Sequence, residues 1–398
     1  MSIENSRRLF RASCVALIVD ALTFAIRGDI MRELGSQFSL SQAQLGWVAS
    51  AAFWLSTFSI LLGGQLCDLL GMGRLLRAAF VGHVLGILIT IFASDFSQLL
   101  VGALCIGLAN GLVEATISPL VATVHSHQKT EKLNVLHAWF PGGIVLGGLI
   151  AFGLTQTALN WQVKTAVILV PTFIYGLMFL GQKFPPTERV QHGISAVGMY
   201  RESLRPSFWL FVFCMLLTAS TELGPGQWIP SILTNTAHLP GILVLAWING
   251  LMVIGRFYAG KLVERISPVT LLIFAAGLSG VGLVLLSVAN SPMPTFLAAT
   301  VFALGVCYFW PTMLGVTSER FPAGGALLMA IMGAAGNVSV AISLPVMGKI
   351  YDTNGPHMAL RSVSLLPVVL IAIFLGVWAR DRAAGGYRVT SLGAEHEP

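Results

Sequence analysis

Gly63-Gly64-Gln65-Leu66-Cys67-Asp68-Leu69-Leu70-Gly71-Met72-Gly73-Arg74 lies between two long apolar runs, and a weaker copy of it returns 196 residues later. In the copy, Gly260, Leu262 and Glu264 stand where Gly64, Leu66 and Asp68 stood, and Leu271 and Leu272 repeat Leu75 and Leu76. That offset is close to half of the 398-residue chain, so the sequence reads as two tandem copies of one unit. Composition says what kind of unit. Hydrophobic residues make up 55% of the chain and charged ones 10%, against about 25% charged in ordinary soluble domains. With a mean hydropathy of +0.80, a soluble core is excluded. A bilayer-crossing helix needs roughly 20 largely apolar residues. Twelve such spans can be read, near 10–32, 43–66, 75–94, 97–124, 133–155, 160–182, 207–233, 241–263, 269–290, 294–317, 325–350 and 358–379. The expected fold class is an all-α membrane protein of twelve transmembrane helices, with six in residues 1–183, a linker at 184–206 and six more in 207–398.

The pattern Gly64-x-Leu66-x-Asp68-x-x-Gly71 followed by Arg74 resembles the signature loop of the major facilitator superfamily. The resemblance covers the whole chain. It implies two pseudo-symmetric six-helix halves, and a parallel repeat of this kind implies a transporter working at the interface between them. It also implies a gate. Asp68 would meet the start of span 11 near Gly324-Gly325, where the unpaired N–H groups and the helix dipole stabilise a carboxylate by about 0.3–1 kcal/mol. The second copy suggests a mirror latch from Gly260 and Glu264 to the start of span 5 near Leu133, with Lys129 and Lys132 close by. Small residues at 63, 64 and 71 would let the helix ends approach neighbouring backbone. A solvated loop with chance charges is the competing reading, and it weighs more on the second copy.

The formal charge of +6 invites a nucleic-acid partner, but the positions of the bases argue against one. If both termini lie inside the cell, 18 of the 23 bases fall in inner loops or at inner helix ends, leaving Arg27, Arg32, Lys164, Lys349 and Arg361 toward the other side. This is the positive-inside bias. It predicts a multi-pass protein of the inner (plasma) membrane with both termini cytoplasmic. The start, Arg7-Arg8-Leu9-Phe10-Arg11, mimics a signal peptide, yet the run that follows contains Asp20 and leads into further spans, so it reads as a retained first helix. The five cysteines show no paired spacing that would support a disulfide framework or a zinc site. His125-Ser126-His127 could chelate a metal, but a solvated loop is the preferred reading. No cofactor is expected. The expected partners are the bilayer, protons and a small-molecule substrate, and the expected state is monomeric.

Three acids fall well inside spans: Asp20 in span 1, Glu114 in span 4 and Glu222 in span 7; Asp29 lies nearer the outer end of span 1. An ionised side chain at mid-membrane costs about 2.5–3.5 kcal/mol on insertion scales, so it normally faces a cavity or a partner. Burial favours the protonated form of a carboxyl, which lets such a group load and release a proton near neutral pH. Asp20 and Arg27 are seven residues apart on one helix face, which allows a water-linked or transient pair.

Glu114 is preceded one turn earlier by Asn110 and followed by Ser118-Pro119, and span 5 opens Leu133-Asn134-Val135-Leu136-His137-Ala138-Trp139-Phe140-Pro141. Here the resemblance sharpens toward the fucose/proton symporter family, which shows a helix-4 Glu followed five residues later by Pro, then Leu-Asn-x-x-Gln/His-x-x-Phe in helix 5. Glu114 to Pro119 and Leu133 to Phe140 match both. The family's essential helix-1 Asp corresponds to Asp29, followed by Ile30-Met31 and seventeen residues before Gly46. The family's preceding Asn is Gly28 here, and its downstream Pro is Glu33. The departure leaves two candidates for the coupling acid: Asp29 by resemblance, Asp20 by depth.

Span 7 holds Thr221-Glu222-Leu223-Gly224-Pro225-Gly226-Gln227-Trp228-Ile229-Pro230. Pro removes a backbone donor and Gly loosens the turn, so the helix is expected to break there. Glu222 and Gln227 would then face substrate, with Trp228 stacking on a sugar ring, or else Trp228 would anchor at the membrane interface. Trp139 at the entry of span 5, Asn249 and Arg256 in span 8, Trp310 in span 10 and Asn337 in span 11 are further cavity candidates. Plain helix packing competes at each. For His83 in span 3, packing is the preferred reading.

The sequence therefore points to a transporter that alternates access around a midplane cavity, importing a small hydroxylated solute, a monosaccharide first, with a proton. The site residues are Asp29, Asp20 and Glu222 for coupling, and Glu114, Asn110, Asn134, His137, Trp139, Gln227, Trp228, Asn249, Trp310 and Asn337 for substrate. Asn, Gln and His offer donors and acceptors to hydroxyls, while Trp offers an apolar ring face. Gly64, Asp68, Gly71, Arg74, Gly260 and Glu264 are assigned to gating. The alternative is a proton-driven exporter of drugs or metabolites, for which Pro141-Gly142-Gly143 and Gly147-Gly148 give a loose motif match. A carboxylate substrate is disfavoured because few bases lie deep in the spans. No Walker loop, nucleophile elbow or metal constellation supports an enzyme; a transporter-derived sensor stays open.

Overall fold

The computed structural model describes residues 3–125, 129–157, 159–186, 201–263, 266–321 and 325–388. Among the gating and binding candidates, Gly64, Asp68, Asn134, Gly260 and Glu264 lie outside the described residues or have no described side chain, as do Ser126 and His127. The first six spans become α1 (Ile3–Phe38), α2 (Gln42–Leu70), α3 (Met72–Ile91), α4 (Phe96–Val124), α5 (Lys129–Gln156) and the pair α6 (Trp161–Ala166) and α7 (Leu169–Phe179). The second six become α8 (Pro206–Thr236), α9 (Gly241–Val263), α10 (Pro268–Val288), α11 (Pro292–Val306) with α12 (Phe309–Arg320), α13 (Gly325–Asn354), and α14 (Pro356–Val363) with α15 (Leu365–Ala383). Among the described residues, eleven helices are long and apolar enough to cross a membrane, and Gly241–Arg256 supplies a shorter twelfth. The protein is a multi-pass membrane protein.

The repeat read in the signature loop persists in three dimensions. Met72 and Pro268 open equivalent helices, as do Phe96 and Pro292, and Leu169 and Leu365, each pair at the same offset as the two loops. Leu75, Leu76, Leu271 and Leu272 are all buried, so the duplicated leucines are duplicated core contacts. Gly71 ends α2 with φ +82°, its N–H donating to the Cys67 carbonyl at 3.1 Å. A side chain in that left-handed conformation would be strained, which explains glycine at the α2–α3 turn. Arg74 is exposed and reaches back to the Leu70 carbonyl at 3.4 Å.

The two halves meet along α2 with α13, α5 with α9, and α1 with α8. They are closed on the face that carries the α1–α2 turn, here called the far face; the N terminus lies on the opposite face. On the far face, a Cβ on Gly46 would stand 2.6 Å from the Leu344 carbonyl oxygen, and one on Gly348 would stand 2.3 Å from that of Gln42. Only glycine permits this backbone-to-backbone approach. The Asp352 carboxylate then seals the contact, accepting from the Gln42 and Ala43 N–H groups at 3.0 Å each. Ser41 caps the Gln44 N–H at 3.2 Å, so the first three N–H groups of α2 are all satisfied, two of them from the other half. Because an N-cap of this kind contributes about 1 kcal/mol, Asp352→Ala should raise the far-open population about fivefold. Distances between spin labels at Ser39 and Asn354 in a cysteine-free background measure it, and an unchanged distance distribution would count against the latch.

The expected break in span 7 does not occur. α8 runs unbroken through Gly224-Pro225-Gly226 to Thr236. Each proline forfeits only its own donor. Packing holds the rest: a Cβ on Gly226 would meet the Phe24 ring of α1 at 3.3 Å and one on Gly224 would meet Ser343 of α13 at 3.1 Å.

Candidate substrate cavity and coupling site

α4 and α5 bring Glu114, Ser118 and His137 together in the half nearer the N-terminal face. The Ser118 hydroxyl and His137 Nε2 are 3.1 Å apart, His137 is exposed, and Glu114 and Ser118 are half-buried. The far face being closed, their exposure opens toward the N-terminal face. Glu114 carries no hydrogen-bond partner among the described residues, so its carboxylate is free for a ligand.

Opposite them stands the pair Glu222 of α8 and Arg256 of α9, with Arg256 Nη2 3.3 Å from Glu222 Oε1. Arg256 Nε also donates to the Cys307 carbonyl at 3.2 Å. The Glu222 side chain is 8% exposed and that of Arg256 19%, and Glu222 Oε2 has no partner. Arg256, which the sequence placed among the inner bases, thus sits inside the bundle, and it acts electrostatically on His137 across the interface.

Behind Glu114 lies a buried polar network. The Asp20 carboxylate is 3.5 Å from His83 Nε2, with both side chains excluded from solvent. His83 Nδ1 is 2.8 Å from the Tyr175 hydroxyl. The Asn110 amide lies 2.7 Å from His83 Nε2 and 3.2 Å from Thr23 Oγ1. Turned so that its nitrogen faces Asp20 Oδ1 at 3.0 Å, that amide satisfies all its neighbours. Asp20 Oδ2 is buried without a partner. Asp20 and Glu114 are also close enough to interact electrostatically. His83 is therefore a member of the acid network as well as a packed residue. Its polar neighbours come from α1, α4 and α7, none adjacent in sequence, so no local signal could have revealed the cluster.

Several sequence candidates are placed elsewhere. Arg27 does not pair with Asp20: it reaches the Ala49 carbonyl at 3.4 Å and lines a separate void of about 30 Å³ with Thr23, Thr90 and Thr165. Asp29 is bound to the buried Lys164 at 2.9 Å, and Lys164 also holds Glu33 at 2.8 Å. Trp139 falls on the outward stripe of α5 with Val135, Leu146 and Leu149, because its helical register points away from His137. Trp228 is fully buried with its ring 5.9 Å from that of Tyr351, leaving no free face for a sugar. Gln227 is also buried and donates to the Phe24 carbonyl at 2.7 Å, joining the halves on the closed side. Asn249 bonds the Leu245 carbonyl of its own helix at 2.9 Å. Asn337 donates to Ser56 Oγ at 3.2 Å, another cross-half bond. Trp310 is half-buried over Gly336, where a Cβ would meet its ring at 2.6 Å.

Known proteins similar in sequence include the following two. A gentisate transporter of Corynebacterium glutamicum is 24% identical over 294 residues, 68% of this chain and 64% of the relative's length. Protein TsgA of Escherichia coli O6:K15:H31 is 22% identical over 402 residues, 96% of this chain and 98% of that protein. Among solved structures, a point mutant of the nucleoside transporter NupG superposes with a TM-score of 0.78 over 94% of this chain and 100% of that one, at 13% identity. A point mutant of the peptide transporter POT in complex with alafosfalin gives 0.76 over 94% of both chains, at 14% identity. These structural likenesses carry the fold. The family model described as Major Facilitator Superfamily matches residues 9–255 and 243–396. A duplicated signature loop, twelve apolar helices in two runs of six, and a family match along nearly the whole length make this chain a transporter of the Major Facilitator Superfamily.

Proposed function

We propose that this protein imports a small hydroxylated solute, a monosaccharide first, together with a proton. The observation that carries the reading is the facing set Glu114, Ser118 and His137, backed by the closed Asp20–His83 network. The first set offers donors and acceptors to hydroxyls. The second offers an acid shut away from water with one oxygen unpartnered, which a bound proton would relieve. Asp20 is therefore the coupling acid in this reading, while Asp29 is committed to Lys164. Glu222 is reserved for the opposite wall. The N-terminal face is taken as cytoplasmic in the inner membrane, following the bases, so the closed far face is the outer one. Residues 1–183 and 207–398 rock against each other about the cavity, a monomer suffices, and the Asp68 and Glu264 loops latch the cytoplasmic side.

The resemblance to the fucose/proton symporter family supports Glu114 and His137 as hydroxyl ligands. The names of the similar proteins speak of gentisate, nucleosides and peptides, which are small organic solutes. The test is calorimetric binding to wild type and Glu114→Gln. Losing a charge-assisted hydrogen bond should weaken solute binding about tenfold to a hundredfold with thermal stability little changed. An unaltered dissociation constant overturns the assignment.

A further inference from the structure

We infer that the solute carries one carboxylate, and that Arg256 binds it in exchange for Glu222. The inference rests on reading the cavity as a hydroxylated-solute site and adds the chemistry of its second wall.

Arg256 is the one base among the described residues that combines a place deep in the bundle with a face toward the cavity. Lys164 is saturated by two carboxylates, and Arg27 lines a separate void. The Arg256 guanidinium is incompletely used. Nη2 meets one Glu222 oxygen at 3.3 Å and Nε meets a carbonyl, while Glu222 Oε2 stays unpartnered. A guanidinium binds a carboxylate best through two parallel N–H···O bonds. The Glu222 contact is a single, long bond, so the second edge of the fork is still available. Arg256 also keeps 19% of its surface exposed, whereas Glu222 is tucked behind it.

The surroundings fit an anion at this point. His137 faces Arg256 from α5. The remaining titratable group beside Glu222 is Cys307, at the α11–α12 turn; α1, α12, α13, α14 and α15, packed on other faces of α8, add no charge to it. On the far side of the cavity, Glu114 would repel a carboxylate and attract hydroxyls. One solute is thus oriented with its carboxylate on the C-terminal half and its hydroxyls on the N-terminal half, and it bridges the two moving bodies.

Exchange also links solute to proton. A carboxylate that takes over Arg256 leaves Glu222 beside a second anion with its own counter-charge withdrawn, and a proton from water on Glu222 restores the balance of one anion to one cation. Entry of the anion with a proton then moves no net charge onto this wall.

The test uses full-length purified protein and matched pairs of probes: glucuronate with glucose, galacturonate with galactose, and gluconate with glucitol. At least one acid should bind wild type, measured by thermal shift and calorimetry, about tenfold to a hundredfold more tightly than its neutral counterpart. Arg256→Gln should lose that preference and Arg256→Lys should recover part of it. Glu222→Gln should bind the acid at least as tightly as wild type, with a flatter pH profile. Because Arg256→Gln alone strands Glu222, the neutral pair Glu222→Gln/Arg256→Gln is included; it too should lose the acid preference while remaining folded. If neutral sugars bind as tightly as their acids, or the double variant keeps the preference, the carboxylate assignment falls and the hydroxylated-solute reading stands. If no probe of either kind binds, both fall.

Discussion

With a neutral solute, which draws no proton onto Glu222, Asp20→Asn is expected to abolish proton-driven accumulation and to leave solute counterflow close to the wild-type rate. Counterflow exchanges solute for solute and need not release a proton, whereas uphill uptake must. A gradient of one pH unit is worth about 1.4 kcal/mol per proton, so one-to-one coupling supports about tenfold accumulation in wild type. Asp20→Asn should fall to simple equilibration. The physical basis is the closed site: Asp20 meets His83 at 3.5 Å and the Asn110 amide at 3.0 Å, and its other oxygen is unpartnered. Asn fills the same volume without a titratable proton. His83→Gln should weaken coupling in the same direction by removing the ring that can share the proton. Proteoliposomes under an imposed pH gradient provide the assay. Full accumulation by Asp20→Asn would move the coupling role to Glu222 or Asp29, or make the protein a uniporter.

Lys164→Met is expected to lower stability sharply. Lys164 is 2% exposed and, from α6, forms ion pairs with both Asp29 and Glu33. Removing one partner of a buried pair costs about 3–5 kcal/mol, because it leaves an uncompensated charge behind. Glu33 is 38% exposed and can rehydrate, so most of the cost falls on Asp29, whose side chain is 12% exposed. The lower end of that range, roughly 3 kcal/mol, corresponds to a fall of about 4 °C in melting temperature for a chain of this length. Adding Asp29→Asn to Lys164→Met should recover much of the loss. This pair also separates the two helix-1 acids. If Asp29 is structural, Asp29→Asn lowers stability and spares accumulation; if accumulation disappears while stability holds, the resemblance-based assignment to Asp29 is the right one.

Chain order alone determined the membrane class, the twelve spans and their division into two runs, because apolar run length and an internal repeat are one-dimensional properties. The offset between Gly64 and Gly260 is the same one that separates Met72 from Pro268 and Leu169 from Leu365 as helix starts. The α4 and α5 motifs were legible because each is local and the helices are neighbours, and they meet at Ser118 and His137, 3.1 Å apart. What only the tertiary structure decided is which way each polar side chain turns and whom it meets. Trp139 and His137 are two residues apart, yet one lies on the outer stripe of α5 and the other meets Ser118 of α4, which depends on how α5 is rotated by its packing on α1 and α9. Asp20 and His83 are 63 positions apart and come together only when α1 and α3 converge on α4. Arg256 could be read both as an inner base and as a span-8 candidate, and only the packing of α8 on α9 supplied its partner Glu222. Lipid demands only that a span be apolar on average, so it fixes where helices are. The rotation of each about its axis is left to close packing at glycines such as Gly46 and Gly348, and to buried charges that must find partners.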